Sequence, residues 1–131
     1  MSTRATVHFE TTYQGETTTQ AIVYQHSDGY PAGMVPELEQ FFTDVEAETT
    51  DTRFTDPGYL AAKFVVWLAR EFTKPTEWRP NSKQGSLDFL SIGVVMQDPG
   101  DIEFRYHVDC TYPINGHPEV TWDCTVDHAA V

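Results

Sequence analysis

Hydrophobic and polar residues alternate over residues 4–10 near the start of the chain, and residues 20–26 form a second run that is typical of a strand. Alternation with a period of two is typical of a strand that buries one face. A turn centred near Gly15 separates the runs, so the spacing predicts an antiparallel hairpin. In this register two apolar pairs lie opposite each other: Val7 with Val23, and Phe9 with Ala21.

The period then changes to three and four, which indicates two helices. The first is expected to begin near Val35 or Pro36, and its apolar stripe consists of Val35, Leu38, Phe41, Phe42 and Val45. Asp56 and Pro57 suit the N-cap and first position of a second helix that runs to about Thr73. Its broad apolar surface favours burial against a sheet: Leu60, Ala61, Phe64, Val65, Trp67, Leu68 and Phe72.

Three further alternating runs complete the chain, at residues 87–97, 101–110 and 119–126. The first two are joined by Asp-Pro-Gly at 98–100, which predicts a hairpin with Val94 and Met96 facing the core. The order ββααβββ predicts a single α+β domain over residues 1–131. We expect a five-stranded, mainly antiparallel sheet with both helices packed on one face.

The Asn115-Gly116 turn predicts a last hairpin centred near Asn115, which sets the expected register of its polar face. This register brings His107 near Asp123 and Asp109 near Thr121. It also places Cys124 opposite Tyr106 or His107, three or four residues along the strand from Cys110. That separation is roughly 10–13 Å, whereas a disulfide needs Cα atoms within about 7 Å. Both cysteines are therefore predicted to be reduced core residues.

The chain carries a net charge of −12, with 20 acidic residues against 8 basic ones. This balance disfavours direct binding to nucleic acid or to an anionic membrane, because phosphate contacts need clustered cations. Three explanations stay open: a solubilising surface, an acidic face that binds a basic partner protein, and adaptation to salt. The longest apolar stretch, residues 59–69, is too short for a bilayer, and residues 1–10 contain no secretory signal, so a cytoplasmic location is expected.

The first helix supplies the densest run of acids. Five carboxylates fall within twelve residues, with no Lys or Arg between them: Glu37, Glu39, Asp44, Glu46 and Glu48. Like charges at this spacing repel one another, so their uniform sign favours selection by a basic partner or by salt. We treat these residues as one candidate binding surface.

Two other clusters could carry chemistry, although no recognised enzyme motif is present. One follows the second strand and contains Tyr24, His26, Asp28 and Tyr30. It is either a His–Asp pair that holds a base or a metal, or a strand that ends in an Asp-Gly turn. The other lies on the sheet face opposite the core and contains Arg105, His107, Asp109 and Asp123. It is either a ligand-binding patch or a solvated face with cross-strand pairs. Ligand spacing for zinc is missing, so no metal or cofactor is expected.

The segment "VYQHSDGYPAGMVPELEQFF", residues 23–42, resembles a family of small phage, prophage and prokaryotic proteins with no established activity. These proteins share a Y-x-H-x-D-G-Y-P signature followed by an amphipathic helix, and the matching residues here are Tyr24, His26, Asp28, Gly29, Tyr30 and Pro31. A tryptophan commonly lies between the His and the Asp, whereas this chain has Ser27. The resemblance implies a mobile-element setting, in which small acidic proteins often bind host proteins, including defence nucleases.

The leading hypothesis from the sequence is a non-catalytic interaction protein of phage or mobile-element type. The acidic helix or the polar sheet face would bind a basic host or viral protein, for example a nucleic-acid-binding defence protein that it inhibits. One alternative is a small hydrolase or metal-binding enzyme built on His26, Asp28, His107 and Asp109. Another is a minor virion or assembly component, which a homodimer would favour.

Overall fold

A computed structural model describes residues 3–26, 28–48, 56–73, 91–114 and 117–124. The order of elements is ββααβββ, so the predicted α+β fold is confirmed. No helix within these ranges is long and apolar enough to cross a bilayer. The elements are β1 (Ala5–Tyr13), β2 (Glu16–Gln25), α1 (Pro31–Glu48), α2 (Pro57–Thr73), β3 (Ile92–Val95), β4 (Phe104–Ile114) and β5 (His117–Cys124).

The five strands form one mixed sheet in the order β3-β2-β1-β4-β5. Three of the four strand pairs are antiparallel, and the central pair, β1 with β4, is parallel. The predicted hairpin between the third and fourth strands is therefore wrong, because β3 pairs with β2. The local turn does form, since the Gly100 amide donates to the Asp98 side chain at 2.7 Å and Gly100 has a φ of 85°. It begins a connection that leads to the far side of β1.

The β1–β2 hairpin has the predicted register, with Val7 opposite Val23 and Phe9 opposite Ala21. A bulge after Phe9 moves the pairing by one residue, so that Glu10 lies opposite Thr19. The turn consequently consists of Gln14 and Gly15, both with positive φ (52° and 82°). Positive φ at both positions matches the right-handed twist of the flanking strands.

Both helices pack on the same face of the sheet, and the described residues of their predicted stripes are buried, with Val35 and Val65 only partly so. The core joins β1 to α2 through Phe9 and Phe64, whose ring centroids are 5.7 Å apart, and Phe41 of α1 contacts Phe64 and Trp67. Val94 and Met96, predicted to be buried, are 73% and 100% exposed. Val94 shares the face of Val23, its partner, but β3 is an edge strand. Phe72 and the first part of the predicted third strand, residues 87–90, lie outside the described side chains and residues.

Each of the two helices begins at a proline, Pro31 in α1 and Pro57 in α2. The second helix begins as predicted, since the Gly58 amide donates to the Asp56 side chain at 3.1 Å. The first begins at Pro31, not near Val35 or Pro36, and the Tyr30 carbonyl accepts from the amides of Gly33 and Met34. A proline at the first helical position costs no hydrogen bond, because an amide there has no partner within the helix. Pro36 lies one turn further on and is tolerated inside the helix.

The β4–β5 register differs from the prediction. Asp109 lies opposite Glu119, Arg105 opposite Asp123, and Cys124 opposite Phe104. The pairing of β4 with β5 shifts between Asp109 and Ile114, so the two strands do not keep the register of a simple hairpin. Residues 115–116 lie outside the described residues. Both cysteines are reduced, as predicted, but only Cys110 is buried, whereas Cys124 is exposed.

The start of β1 and the turn after β2 are in close contact at Gly29. Its amide donates to the Thr3 carbonyl at 2.9 Å, and its carbonyl accepts from the buried hydroxyl of Tyr106. A Cβ at this position would lie 2.6 Å from the Ala5 Cβ and 2.8 Å from the Thr3 oxygen. Only glycine fits here without displacing the backbone of β1.

We predict that Gly29→Ala lowers the free energy of unfolding by roughly 1–3 kcal/mol, because overpacking forces backbone shifts. Chemical denaturation measures this loss. Gly93→Ala is the matched control, since a Cβ there meets nothing within 4 Å. The control should change stability by less than about 0.5 kcal/mol. Equal stability of the two variants would contradict the close approach at Gly29.

Candidate functional site

The sheet face opposite the helices carries a line of polar residues on three adjacent strands. The parallel register pairs His8 with His107 and Glu10 with Asp109, and the antiparallel register pairs Asp109 with Glu119. Because side chains alternate across a strand, these residues project to the same face. Thr6, His8 and Glu10 of the central strand are nevertheless buried, each at most 6% exposed.

The connection between β3 and β4 covers one end of this face. Asp98 binds the Arg105 guanidinium through two hydrogen bonds, one of them 2.8 Å long, and its carboxylate lies 3.7 Å from His8 Nε2. The Arg105 hydrogen bonds hold the pKa of Asp98 at about 2. Burial and the neighbouring His107 lower the pKa of His8, which also contacts the Thr6 hydroxyl at 2.9 Å. The charges at this end are matched within the protein.

His107 lies between two carboxylates. Its Nδ1 is 3.0 Å from Glu10 Oε2, and its Nε2 is 2.8 Å from Asp123 Oδ2. The hydrogen bond to Glu10, with that to Asp123, raises the pKa of His107 to about 9 against the opposing effect of burial. His107 is therefore an imidazolium at neutral pH, with both nitrogens donating.

The other end of the face is an open depression of about 600 Å³. The hairpin of β1 and β2 forms one wall, and β5 contributes the opposite one. Glu10 also accepts a hydrogen bond from the Thr19 hydroxyl at 3.2 Å, so its carboxylate is fixed. We call this depression the anionic cleft, and its lining residues are Glu10, Thr12, Thr17, Thr19, His107, Asp109, Glu119 and Thr121.

The sheet-face residues predicted from the sequence are thus brought together. His107 contacts Asp123 as expected, although diagonally, because Thr121 is its direct partner. Arg105 contributes to the covered end, and Asp109 lines the cleft, where its Oδ1 accepts from the Thr111 amide at 2.9 Å. Glu10 and Glu119 were not among the candidates. Glu10 was on the correct face, but nothing in the sequence indicates that β1 pairs with β4.

The residues Tyr24, His26, Asp28 and Tyr30 form a corner. His26 Nδ1 is 2.7 Å from the Tyr24 hydroxyl, and the His26 amide donates to the Ser91 carbonyl, which fixes the end of β2 beside β3. Asp28 is exposed, with a φ of 59° that serves the turn, and Tyr30 precedes α1. The imidazole is held by a tyrosine and not by Asp28. Ser27, within the same signature, lies outside the described residues.

The acids of α1 do not form one surface. Glu48 binds Arg70 of α2 through two hydrogen bonds of 2.9 and 3.1 Å, Glu46 contacts His117 of β5 at 2.7 Å, and Asp44 accepts from the Trp67 indole at 2.8 Å. Glu37 points inward, where burial and Asp28 raise its pKa to about 7. Glu39 is exposed. The basic side chains that contact Glu48 and Glu46 come from α2 and β5, which pack beside α1.

The arrangement of the sheet face limits its chemistry. A ring whose two nitrogens both donate to carboxylates has no lone pair with which to accept a proton, so His107 is not a base at neutral pH. Among the described residues, no group of three or more His, Cys, Asp or Glu side chains is arranged to hold a metal ion.

Comparison with protein-family models, with curated proteins and with solved structures found no match to this chain. The resemblance of residues 23–42 to phage and prokaryotic proteins therefore stays a prediction.

We predict that the His107 ring titrates near pH 9 in the folded protein, followed by NMR of the imidazole protons. Because this pKa lies above the ordinary 6.5, the contribution of His107 to stability is complete below about pH 6.5 and is lost as the pH rises through about 9. His107→Gln should therefore cost roughly 2 kcal/mol at pH 6, after a discount for solvent screening, and much less above pH 9.

Glu10→Gln is the matched variant, because glutamine keeps the shape of the side chain and removes its charge. It should move the titration of His107 towards 6.5. A His107 ring that titrates near 6.5 in the unmodified protein would contradict its placement as a cation between Glu10 and Asp123.

Proposed function

We propose that this chain is a non-catalytic binding protein, and that its anionic cleft binds a basic segment of another protein. The observation that carries the proposal is the position of His107. The imidazolium of His107 is itself a cation, and this face holds it between the carboxylates of Glu10 and Asp123, at distances of 3.0 and 2.8 Å. Asp109 and Glu119 lie next to it on the same face with a ring of threonine hydroxyls and no cation of their own among the lining residues.

The chemistry of the cleft favours lysine or arginine side chains over other ligands. Its three carboxylates exceed its one imidazolium, and the whole chain carries −12, so anions and phosphate backbones are repelled. Threonine hydroxyls accept hydrogen bonds from ammonium and guanidinium groups without adding charge. A protein surface that normally holds nucleic acid presents such cations, which makes a nucleic-acid-binding protein a suitable partner class.

Catalysis is the weaker alternative. The hydrolase hypothesis needs a base, but His107 donates from both nitrogens and His26 Nδ1 contacts a tyrosine. The residues that this hypothesis combines are also separate in the structure, since no described contact joins His26 or Asp28 to His107 or Asp109. The α1 surface is the weaker binding alternative, because Asp44, Glu46 and Glu48 are engaged within the chain.

The test compares two charge-matched variants. Asp109→Asn with Glu119→Gln removes two charges from the cleft, whereas Glu46→Gln with Glu48→Gln removes two from α1. Binding of a fluorescein-labelled lysine octapeptide is measured by anisotropy at ionic strengths of about 0.02 M and about 0.2 M. We expect the cleft variant to bind roughly tenfold more weakly at the lower salt, and the helix variant to bind within about twofold of the unmodified protein.

If binding of the peptide depended on net charge alone, both variants would lose affinity equally, and that result would overturn the proposal. A larger loss in the helix variant would assign binding to α1. Higher salt should lower the affinity of the unmodified protein for the peptide by slowing association, since exposed charges steer the encounter.

A further inference from the structure

Within the part of the chain that the structure describes, no strand pairs with the outer side of β5 over residues 117–123. The strand order places β5 at one end of the sheet, beside β4. It spans His117–Cys124, twice the length of β3 at the opposite edge. Apart from Pro118, which has no amide hydrogen to donate, an edge of this length presents backbone donors and acceptors to an extended chain.

The side chains of β5 alternate between two different surfaces. Glu119 and Thr121 line the anionic cleft. Pro118 and Val120 line a groove of about 440 Å³ on the helix side, together with Val35, Phe42, Glu39, Thr43 and His117. Trp122 continues the apolar side; it is 48% exposed, and its ring packs edge-on against Phe104 at 5.8 Å. One side of the edge is thus acidic, and the other combines the apolar side chains of Val35, Phe42, Pro118 and Val120 with polar ones at the rim.

We propose that β5 takes up an extended segment of the basic partner as a sixth strand of the sheet. The segment alternates basic and apolar residues: the basic side chains lie over the anionic cleft, and the apolar ones enter the groove between α1 and β5. Main-chain hydrogen bonds hold the segment, and the two surfaces select its sequence. This inference rests on the proposed function, because it uses the same cleft.

A second copy of this chain fits the same edge less well. In a two-fold antiparallel pair centred on Thr121, Glu119 of one copy would lie opposite Asp123 of the other. Like charges placed directly opposite each other destabilise a strand pair, and each copy carries −12. A partner segment with lysine or arginine at those positions replaces repulsion with attraction.

The test uses a short peptide in which lysine and valine alternate over the length of β5, with binding measured by calorimetry. Two further forms carry N-methyl groups on all lysine amides or on all valine amides. All three have the same charge. In a docked strand only one of the two amide sets points towards β5, since successive amides point to opposite sides. We expect one N-methylated form to bind at least about tenfold more weakly and the other to bind like the parent peptide.

Loss of binding in both N-methylated forms, or in neither, would overturn strand addition. If neither form loses affinity while the Asp109→Asn, Glu119→Gln variant still weakens binding, the cleft binds cations through side chains alone, and the proposed function stands. If neither the alternating peptide nor the lysine octapeptide binds, the proposed function itself fails. A stable dimer whose β5 amides are protected from hydrogen exchange would instead assign the edge to a second copy.

Discussion

The parallel pairing of β1 with β4 determines what this protein offers to a ligand. It places the central strand beside a strand almost one hundred positions later in the chain, so that His8 meets His107 and Glu10 meets Asp109. Without this pairing, Glu10 would have no imidazolium partner, and its burial at 6% exposure would be unfavourable. The same pairing leaves β5 as an outer strand, because β4 can accept only one further neighbour.

Buried ion pairs of this kind are weak contributors to net stability, because desolvation offsets much of the attraction. Their effect on geometry is larger. Glu10 is fixed by both His107 and Thr19, and Asp109 accepts a hydrogen bond from the Thr111 amide, so two of the three carboxylates that line the anionic cleft have defined positions. A cleft whose charges are already held in place loses little side-chain entropy when a cation binds.

The local features of the fold could be predicted from the sequence, and the long-range ones could not. The register of Val7 with Val23 follows from a short turn, and the start of α2 follows from Asp56 and Pro57. The pairing of β3 depends on strands far apart in the chain, so a good turn at Asp98–Gly100 predicted the wrong partner. The acids of α1 looked unpaired for the same reason, since Arg70 and His117 reach Glu48 and Glu46 from other elements.

The central claim is that the sheet face, and not the acidic helix, is where a basic partner binds. Chemical-shift mapping of the isotopically labelled protein during titration with the lysine octapeptide tests this most directly. We predict that the largest changes occur in the amides of residues 107–109 and 117–123 and in the His107 ring. Changes confined to residues 37–48, with the His107 ring unaffected, would contradict the account.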